Sequence, residues 1–199
     1  MNEQALTVRE AIVGRRSIKK FNGQPVDRAD LLKIIDDAVW APNHQNREPW
    51  RLVVACGKEL FQLHELLRDT TIPAWQTLSE DELEKRMQKF TTPGGYVFVI
   101  VPEDARQKER LEDFGAASCL IQNMMLLAWD YGIGSCWKTP PFLDAPAFRK
   151  ALGVEPGERI VGMVQFGYFD ELPKGKERKT SKEIVTIFGQ SEDKEEAED

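Results

Sequence analysis

The most constraining feature of the sequence is a long apolar run near its middle, residues 113–131, DFGAASCLIQNMMLLAWDY. At helical spacing these residues leave little polar face, which predicts a central, buried helix that ends at Gly132 and Gly134. Such a helix must be covered by other elements, and 199 residues are enough to build one sizeable core around it. We therefore predict one domain over residues 1–189, followed by a charged, disordered tail over 190–199.

Helices and strands alternate around this central helix. Helices are predicted over 7–14, after a cap at Asp27 or Asp30, over 58–69, near 79–90, over 144–153 and at the end of the basic tail. Apolar runs predict strands at 51–56, 96–102 and 159–169, and SCWKTPP at 135–141 is predicted to be a short extended piece. Strands separated by helices favour a layered fold. Residues 70–95 show the weakest pattern.

Composition excludes several classes of function. The formal net charge of −6 opposes binding to nucleic acid, although a local pocket for one phosphate remains compatible with it. The three cysteines have no metal-like spacing, and His44 and His64 match no zinc pattern, so no metal site is expected. The N-terminus lacks the order of a secretory signal, and no apolar run approaches 18 residues. These features predict a cytoplasmic protein.

Two basic segments are candidates for binding a phosphate. Arg15, Arg16 and Ser17 combine two guanidinium groups with a hydroxyl at a helix end, and Lys19 raises the local potential. Near the C-terminus, Lys174, Lys176, Arg178 and Lys179 could form a second arm of the same site. Taken alone, each segment is also compatible with a solvated basic turn or loop.

Two further segments could surround a flat ring. The sequence Pro42-Asn43-His44-Gln45-Asn46 supplies amides and an imidazole suited to a heterocycle, although asparagine also favours turns for local reasons. In residues 132–139 Trp137 offers a stacking surface and Lys138 a positive charge, while a helix end followed by a core strand is the alternative. The GIGS sequence here follows a helix and not a strand, so it is not a dinucleotide fingerprint.

The order of these segments resembles the nitroreductase family of FMN enzymes over residues 7–188. The resemblance is carried by RRSIKKF, WAPNHQNREPWRLV, GAASCLIQNMMLLAWDYGIGSCWKT and PKGKERK, in that order. It is strongest to the small, single-domain NAD(P)H nitroreductases. The resemblance implies an α+β, three-layer fold with a mixed or antiparallel sheet between helices. It also implies a homodimer with FMN at the interface, the long helix in the dimer core and the C-terminal extension reaching the partner.

The resemblance also implies roles for individual residues. Arg15, Arg16, Ser17 and Lys19 would hold the phosphate and ribityl region of FMN, and Lys176 and Arg178 would close that site. Contacts to the flavin, in part from the other subunit, are implied for Pro42, Asn43, His44 and Asn46. Trp137, Lys138 and Thr139 would line the ring edge. Many relatives have serines where this chain has Asn43 and His44, and in relatives the counterpart of 70–95 is often a substrate lid.

The implied activity is ping-pong electron transfer from NAD(P)H through FMN to nitroaromatic, quinone or related acceptors. Lys138 is the candidate catalytic residue, because a positive charge near N1–C2=O stabilises reduced flavin. Two alternatives stay open: a flavin-binding sensor without turnover, and a dehalogenase-like or ring-fragmenting flavoenzyme on the same scaffold. The physiological acceptor and the choice between NADH and NADPH do not follow from the sequence.

Overall fold

The computed structural model describes residues 5–189, so the predicted tail at 190–199 lies outside the described residues. Seven α-helices and four strands are present in this part of the chain. The helices are α1 (Val8–Gly14), α2 (Arg28–Ala38), α3 (Glu59–Thr71), α4 (Glu80–Thr91), α5 (Gln107–Asp130), α6 (Pro146–Ala151) and α7 (Ser181–Ile184). The strands are β1 (Arg51–Cys56), β2 (Gly95–Pro102), β3 (Gly134–Lys138) and β4 (Glu158–Gly167).

The four strands form one sheet in the order β1-β2-β4-β3, and each neighbouring pair is antiparallel. A register shift between Val99 and Ile100 interrupts the pairing of β2 with β4. Beyond the edge strand β3, Ser17 adds a single parallel bridge to Ser135. The predicted α+β class is therefore confirmed, with an antiparallel sheet that is mixed only at this bridge.

Apolar side chains cover both faces of the sheet. On one face α2 and α5 pack against Val97, Val164 and their neighbours, and on the other α3, α4 and α6 surround Phe98 and Met163. Alternation of side chains along each strand sends neighbouring residues to opposite cores. The three-layer arrangement implied by the resemblance is confirmed. The inner residues of α5, including Leu120, Ile121 and Met124, are fully buried, as its composition predicts.

Two elements differ from the sequence-based expectation. Helix α5 begins at Gln107 and not near residue 113, because its first turns are charged and carry no apolar period. Ion pairs stabilise those turns, for example Arg106 with Glu109 at 3.0 Å. The extended piece after α5 is a true strand, β3, paired along its length with β4. No helix among residues 5–189 is long and apolar enough to cross a membrane.

Candidate active site

The first basic segment is fixed between a capped helix and the sheet edge. Thr7 and Glu10 form a capping box that starts α1, and the helix ends at Gly14, where an added Cβ would lie 3.5 Å from Trp129 Nε1. The buried residue Ile18 then donates its backbone N–H to the carbonyl of Ser135 at 3.0 Å. Residues 15–17 are thereby held across a short span between α1 and β3.

The C-terminal basic segment meets the first one across a shared pocket. This basic pocket has a volume of about 600 Å³, and Gly175 lies so close to it that an added Cβ would be 2.6 Å from Arg16 Nη2. The structure therefore brings together residues that are more than 150 positions apart in the sequence. The polar and charged residues lining the pocket are Arg16, Ser17, Lys19, Lys20, Glu171, Lys174, Lys176 and Arg178.

Arg15 does not line this pocket, but its guanidinium lies near Arg16 and Arg178, which do, and it has an unused donor. Its Nη1 is buried without a hydrogen-bond partner among the described residues. Burial lowers the pKa of Arg15, Cys136 opposes that shift, and the positive charges of Arg16 and Arg178 lower the pKa further. Within residues 5–189, the arginines and lysines of the two basic segments form no ion pair with a carboxylate. Such a cluster of cations favours binding of an anion.

Arg16 has a second, structural task that the sequence did not reveal. Its Nη1 donates to three carbonyls at the end of α1, those of Val13 at 2.8 Å, Gly14 at 3.0 Å and Arg15 at 2.9 Å. These bonds satisfy carbonyls that a helix terminus leaves without partners. Its Nε is buried without a partner in the same part of the chain. Arg16 thus both ends the helix and borders the basic pocket.

Strand β3 separates two residues that the sequence analysis assigned to one ring edge. Lys138 is half-buried, and burial lowers its pKa; Cys136 opposes the shift, whereas Lys19 and Lys89 lower the pKa further. Trp137 packs with the core under α5 and leans over Gly162, where an added Cβ would be 2.0 Å from Trp137 Nε1. Adjacent residues of a strand point to opposite faces, so the two side chains cannot line the same surface.

The other residues of this segment also separate in space. Thr139, just past β3, borders a different pocket of about 350 Å³ together with Asp144 and Arg159. Cys136 is buried on the Lys138 side, and burial raises the pKa of its thiol, with Lys138, Lys19 and Arg15 acting in the opposite sense. Sequence reasoning did not assign Cys136 to the site, and its alternation with Trp137 is the signal that places it beside Lys138.

Residues 42–50, here called the amide loop, have an unusual backbone. Gln45, Asn46 and Glu48 adopt left-handed conformations, with φ of 52°, 53° and 45°. Each such residue costs on the order of 1–3 kcal/mol unless the surroundings impose it. Asn43 helps to do so: its Oδ1 accepts from the backbone N–H of Glu48 at 2.9 Å, and its Nδ2 donates to the carbonyl of Ala41 at 3.2 Å.

The side chains of the amide loop are placed unequally for ligand binding. Pro42, His44 and Asn46 are exposed, whereas the amide of Asn43 is already engaged inside the loop. His44 Nδ1 lies 3.8 Å from Glu112 Oε2, and Arg47 Nη2 donates to Asp113 Oδ2 at 3.0 Å. The sequence analysis missed Arg47 and Asp113. The signal for Asp113 was a carboxylate at the start of the apolar run, on a face that the periodicity predicts to be buried.

Within one chain the amide loop and the basic pocket lie at opposite ends of α5. The loop packs near Glu112, and the end of α1 packs near Trp129, 17 residues further along the helix. At 1.5 Å per residue this is about 25 Å along the helix axis. The structure therefore brings the two basic segments together with Lys138 nearby, but it does not bring the amide loop of the same chain to them.

Comparison with known proteins agrees with this architecture. The sequence profile described as the nitroreductase family matches residues 12–168. YfhC of Bacillus subtilis, an inferred NAD(P)H nitroreductase, is 37% identical over 180 residues, which cover 88% of this chain and 91% of YfhC. YdjA of Escherichia coli K12, also an inferred NAD(P)H nitroreductase, is 25% identical over 79% of this chain and 86% of its own length.

Solved structures extend the comparison to three dimensions. A nitroreductase-like family protein from Bacillus cereus superposes with a TM-score of 0.81 at 32% identity, covering 96% of this chain and all of that one. The FMN-dependent nitroreductase NfnB from Mycobacterium smegmatis, solved with NADPH, has a TM-score of 0.68 at 19% identity, over 90% of this chain and 96% of NfnB. The latter similarity supports the fold alone.

Proposed function

The chain belongs to the nitroreductase family, and we propose that it is an FMN-dependent NAD(P)H oxidoreductase. The observation that carries this proposal is the basic pocket, where cations from both ends of the chain meet without carboxylate partners in the described part and Arg15 Nη1 has no acceptor. A phosphate monoester supplies the several acceptor oxygens that such a pocket lacks. The names of the related proteins point to the same cofactor and electron donor.

FMN fits the residues present. Its phosphate would be held by Arg15, Ser17, Lys176 and Arg178. Arg16 would contribute its positive charge and its Nε, because its Nη1 is already bonded to the end of α1. Lys19, which lines the pocket, would lie between the phosphate and the ring, and Lys138 would lie toward the ring. Trp137 can take part only through its backbone on that face. Thr139 borders the separate pocket with Asp144 and Arg159, so the predicted contact of Thr139 with the ring edge gains no support from this pocket.

The redox chemistry is supplied by FMN when it is bound, which carries electrons from NAD(P)H to a second substrate in two separate half-reactions. The protein needs no nucleophile for this. Lys138 would place positive charge where negative charge develops on the ring, and its half-buried position strengthens that interaction relative to water. The two basic segments would hold the phosphate of the cofactor, and nitroaromatic, quinone or related compounds would be the acceptors.

A homodimer explains how the amide loop reaches the cofactor. In one chain the loop lies about 25 Å along α5 from the basic pocket, so Pro42, His44 and Asn46 would serve the site of the partner. Apolar side chains exposed in the single chain support such an interface. On α1 they are Val8, Ile12 and Val13. On the C-terminal extension, the chain after β4, they are Leu172, Ile184, Val185, Ile187 and Phe188. The three free thiols support the predicted cytoplasmic location.

The decisive experiment uses the purified full-length protein. It should carry or bind FMN with visible flavin absorption, and anaerobic NADH or NADPH should bleach that absorption. Addition of a nitroaromatic or a quinone should then restore the colour. Flavin binding without bleaching would favour a sensor, and bleaching without reoxidation by these acceptors would point to another acceptor class. A protein that binds no flavin would refute the proposal.

A further inference from the structure

Asp113 is the one charged residue that is fully buried among residues 5–189, with 1% of its surface exposed. It lies on α5, and Arg47 of the amide loop donates to its Oδ2 from Nη2 at 3.0 Å. A buried carboxylate is strongly unfavourable unless it is paired. The Arg47–Asp113 pair is therefore a specific tie between the loop and the central helix, and the burial of its carboxylate distinguishes it from the other ion pairs.

The remaining polar ties to the amide loop are local or weak. Asn43 bonds to Ala41 and to Glu48, and Arg47 N–H donates to the carbonyl of His44 at 3.2 Å, all within a few residues. These bonds shape the loop but do not attach it to the rest of the fold. The other ion pairs that reach it are long, 3.8 Å between His44 and Glu112 and 3.9 Å between Arg47 and Asp104.

We propose that the Arg47–Asp113 pair is a positioning device, which holds the amide loop in its left-handed conformation so that His44 and Asn46 can contact FMN. This inference rests on the proposed function. In this role neither Arg47 nor Asp113 would touch the cofactor; both would act through the backbone that joins Arg47 to the contact residues. Gln45, Asn46 and Glu48 have positive φ and none of them is glycine, so their backbone would relax if this tie were lost.

The charges around Asp113 explain why its partner must carry a positive charge. Burial raises the pKa of Asp113, Arg47 lowers it, and the neighbouring carboxylates Asp104, Glu112 and Glu109 raise it again. Asp104 is itself ion-paired with Arg106, and the hydrogen bonds from Arg106 lower the pKa of Asp104 to about 2. Without Arg47 the Asp113 carboxyl would protonate more readily and lose the charge that binds the loop. The bond therefore needs the guanidinium in place.

The test compares Asp113→Asn with Glu158→Gln in the full chain. Glu158 accepts from Arg51, Nε to Oε1 at 2.7 Å, so the control removes the carboxylate partner of an arginine that lies four residues after Arg47 in sequence but outside the amide loop. We expect Asp113→Asn to weaken FMN binding roughly tenfold or more, since a tenfold change is 1.4 kcal/mol and the bond is charge-assisted. Glu158→Gln should lower thermal stability yet keep FMN affinity within about twofold.

Hydrogen exchange of the protein without FMN provides a readout that does not depend on the cofactor. Peptides covering residues 42–50 should exchange faster in Asp113→Asn and at the wild-type rate in Glu158→Gln. If the wild-type protein bound no FMN, the proposed function would fail, and loop exchange would still decide the positioning role. The positioning role would be refuted if residues 42–50 of Asp113→Asn exchanged at the wild-type rate, or if this variant bound FMN with wild-type affinity.

A second variant guards against simple loss of folding. Replacing the pair by apolar residues, Arg47→Met with Asp113→Leu, removes the desolvation cost and should recover thermal stability. An apolar contact has no directional preference, so it should not restore the loop conformation or FMN affinity. Recovery of both stability and affinity would show that the pair is merely structural, and the positioning role would be abandoned.

Discussion

The basic pocket and the amide loop are both proposed to contact a cofactor, but they differ in how their polar groups are satisfied within the protein. At the pocket, Arg16 Nε and the Nη1 of the neighbouring Arg15 have no partner among the described residues, and positive charges lie close to one another. In the loop, Asn43 is bonded at both ends of its amide and Arg47 is paired with a buried carboxylate. The pocket gains its partners from the ligand, whereas the loop is ordered before the ligand binds.

This difference implies two contributions to binding. Unpaired cations supply attraction to an anion, and the ion that relieves their repulsion stabilises the protein as it binds. A preordered loop supplies geometry, because its conformational entropy has been lost before binding. In the proposed dimer, phosphate recognition would therefore belong to the pocket of one chain and ring recognition to the loop of the other.

Mixed dimers give the largest expected effect. Arg15→Ala damages the pocket and Asn46→Ala damages the loop, so each variant alone should bind FMN weakly. A heterodimer of the two variants would contain one doubly damaged site and one intact site if each site uses both chains. Titration should then show one FMN bound per heterodimer with wild-type affinity.

Re-mixing chains of the same variant is the control and should restore nothing. If pocket and loop of one chain served the same site, both sites of the heterodimer would carry one defect. The absence of any high-affinity site in a purified heterodimer would therefore refute the cross-subunit arrangement, while leaving FMN binding itself intact.

Substitutions of Arg15 and Arg16 should separate an effect on FMN affinity from an effect on the stability of the FMN-free protein. Arg15 has a buried Nη1 without a partner, so Arg15→Ala should weaken FMN binding by about 1.5–3 kcal/mol, roughly 10- to 150-fold, with little loss of stability in the FMN-free protein. Arg16→Ala removes three hydrogen bonds at the end of α1 and should lower both the FMN affinity and the stability of the FMN-free protein. Calorimetric titration and denaturation of the FMN-free proteins measure the two effects; equal stability losses would contradict the assignment.

Lys138→Met should slow reduction of bound FMN about tenfold, at the low end for loss of a charge-stabilising group because the side chain is only half-buried. The charged form is the active one, and the pKa of Lys138 is lowered by burial. The wild-type rate should therefore fall as the pH rises through that lowered pKa, below the value near 10.4 of an exposed lysine. Anaerobic stopped-flow reduction across pH checks this, and an alkaline fall that survives in Lys138→Met would exclude Lys138 as its origin.

Local patterns in the sequence predicted much of this architecture. The apolar run of α5, the cap at Asp27 and the strand runs each depend on neighbouring residues, and the structure contains them. The start of α5 was missed because Glu109 and Glu112 stabilise it through ion pairs and carry no apolar period. Pairing of β3 with β4 depends on residues far apart in sequence, which a five-residue run cannot specify.

The candidate site was harder to predict, because side-chain direction and partners decide it. Trp137 and Lys138 are adjacent in sequence yet face opposite cores. Arg16 was expected to serve the phosphate alone, but its bonds to α1 carbonyls arise only once the helix has formed. The Arg47–Asp113 pair joins residues 66 positions apart, and no motif connects them. Order along the chain predicted the kind of site, and the family resemblance implied that two subunits share it. The three-dimensional structure adds the separation of about 25 Å between the amide loop and the basic pocket within one chain, which supports that prediction.

The smallest expected effect comes from Gly175→Ala, which probes the contact between the two basic segments. A Cβ there would lie 2.6 Å from Arg16 Nη2, and Arg16 cannot move freely because its other amino group is bonded to three carbonyls. The C-terminal segment should therefore shift outward, weakening FMN binding about two- to fivefold, a cost of up to about 1 kcal/mol for a small overpacking. Glu177→Ala, on the same exposed segment but outside the pocket lining, should leave the affinity unchanged. Equal affinity for Gly175→Ala and the wild type would mean that the C-terminal segment does not close on Arg16 when FMN binds, and phosphate recognition would then depend on the Arg15–Lys19 side of the pocket.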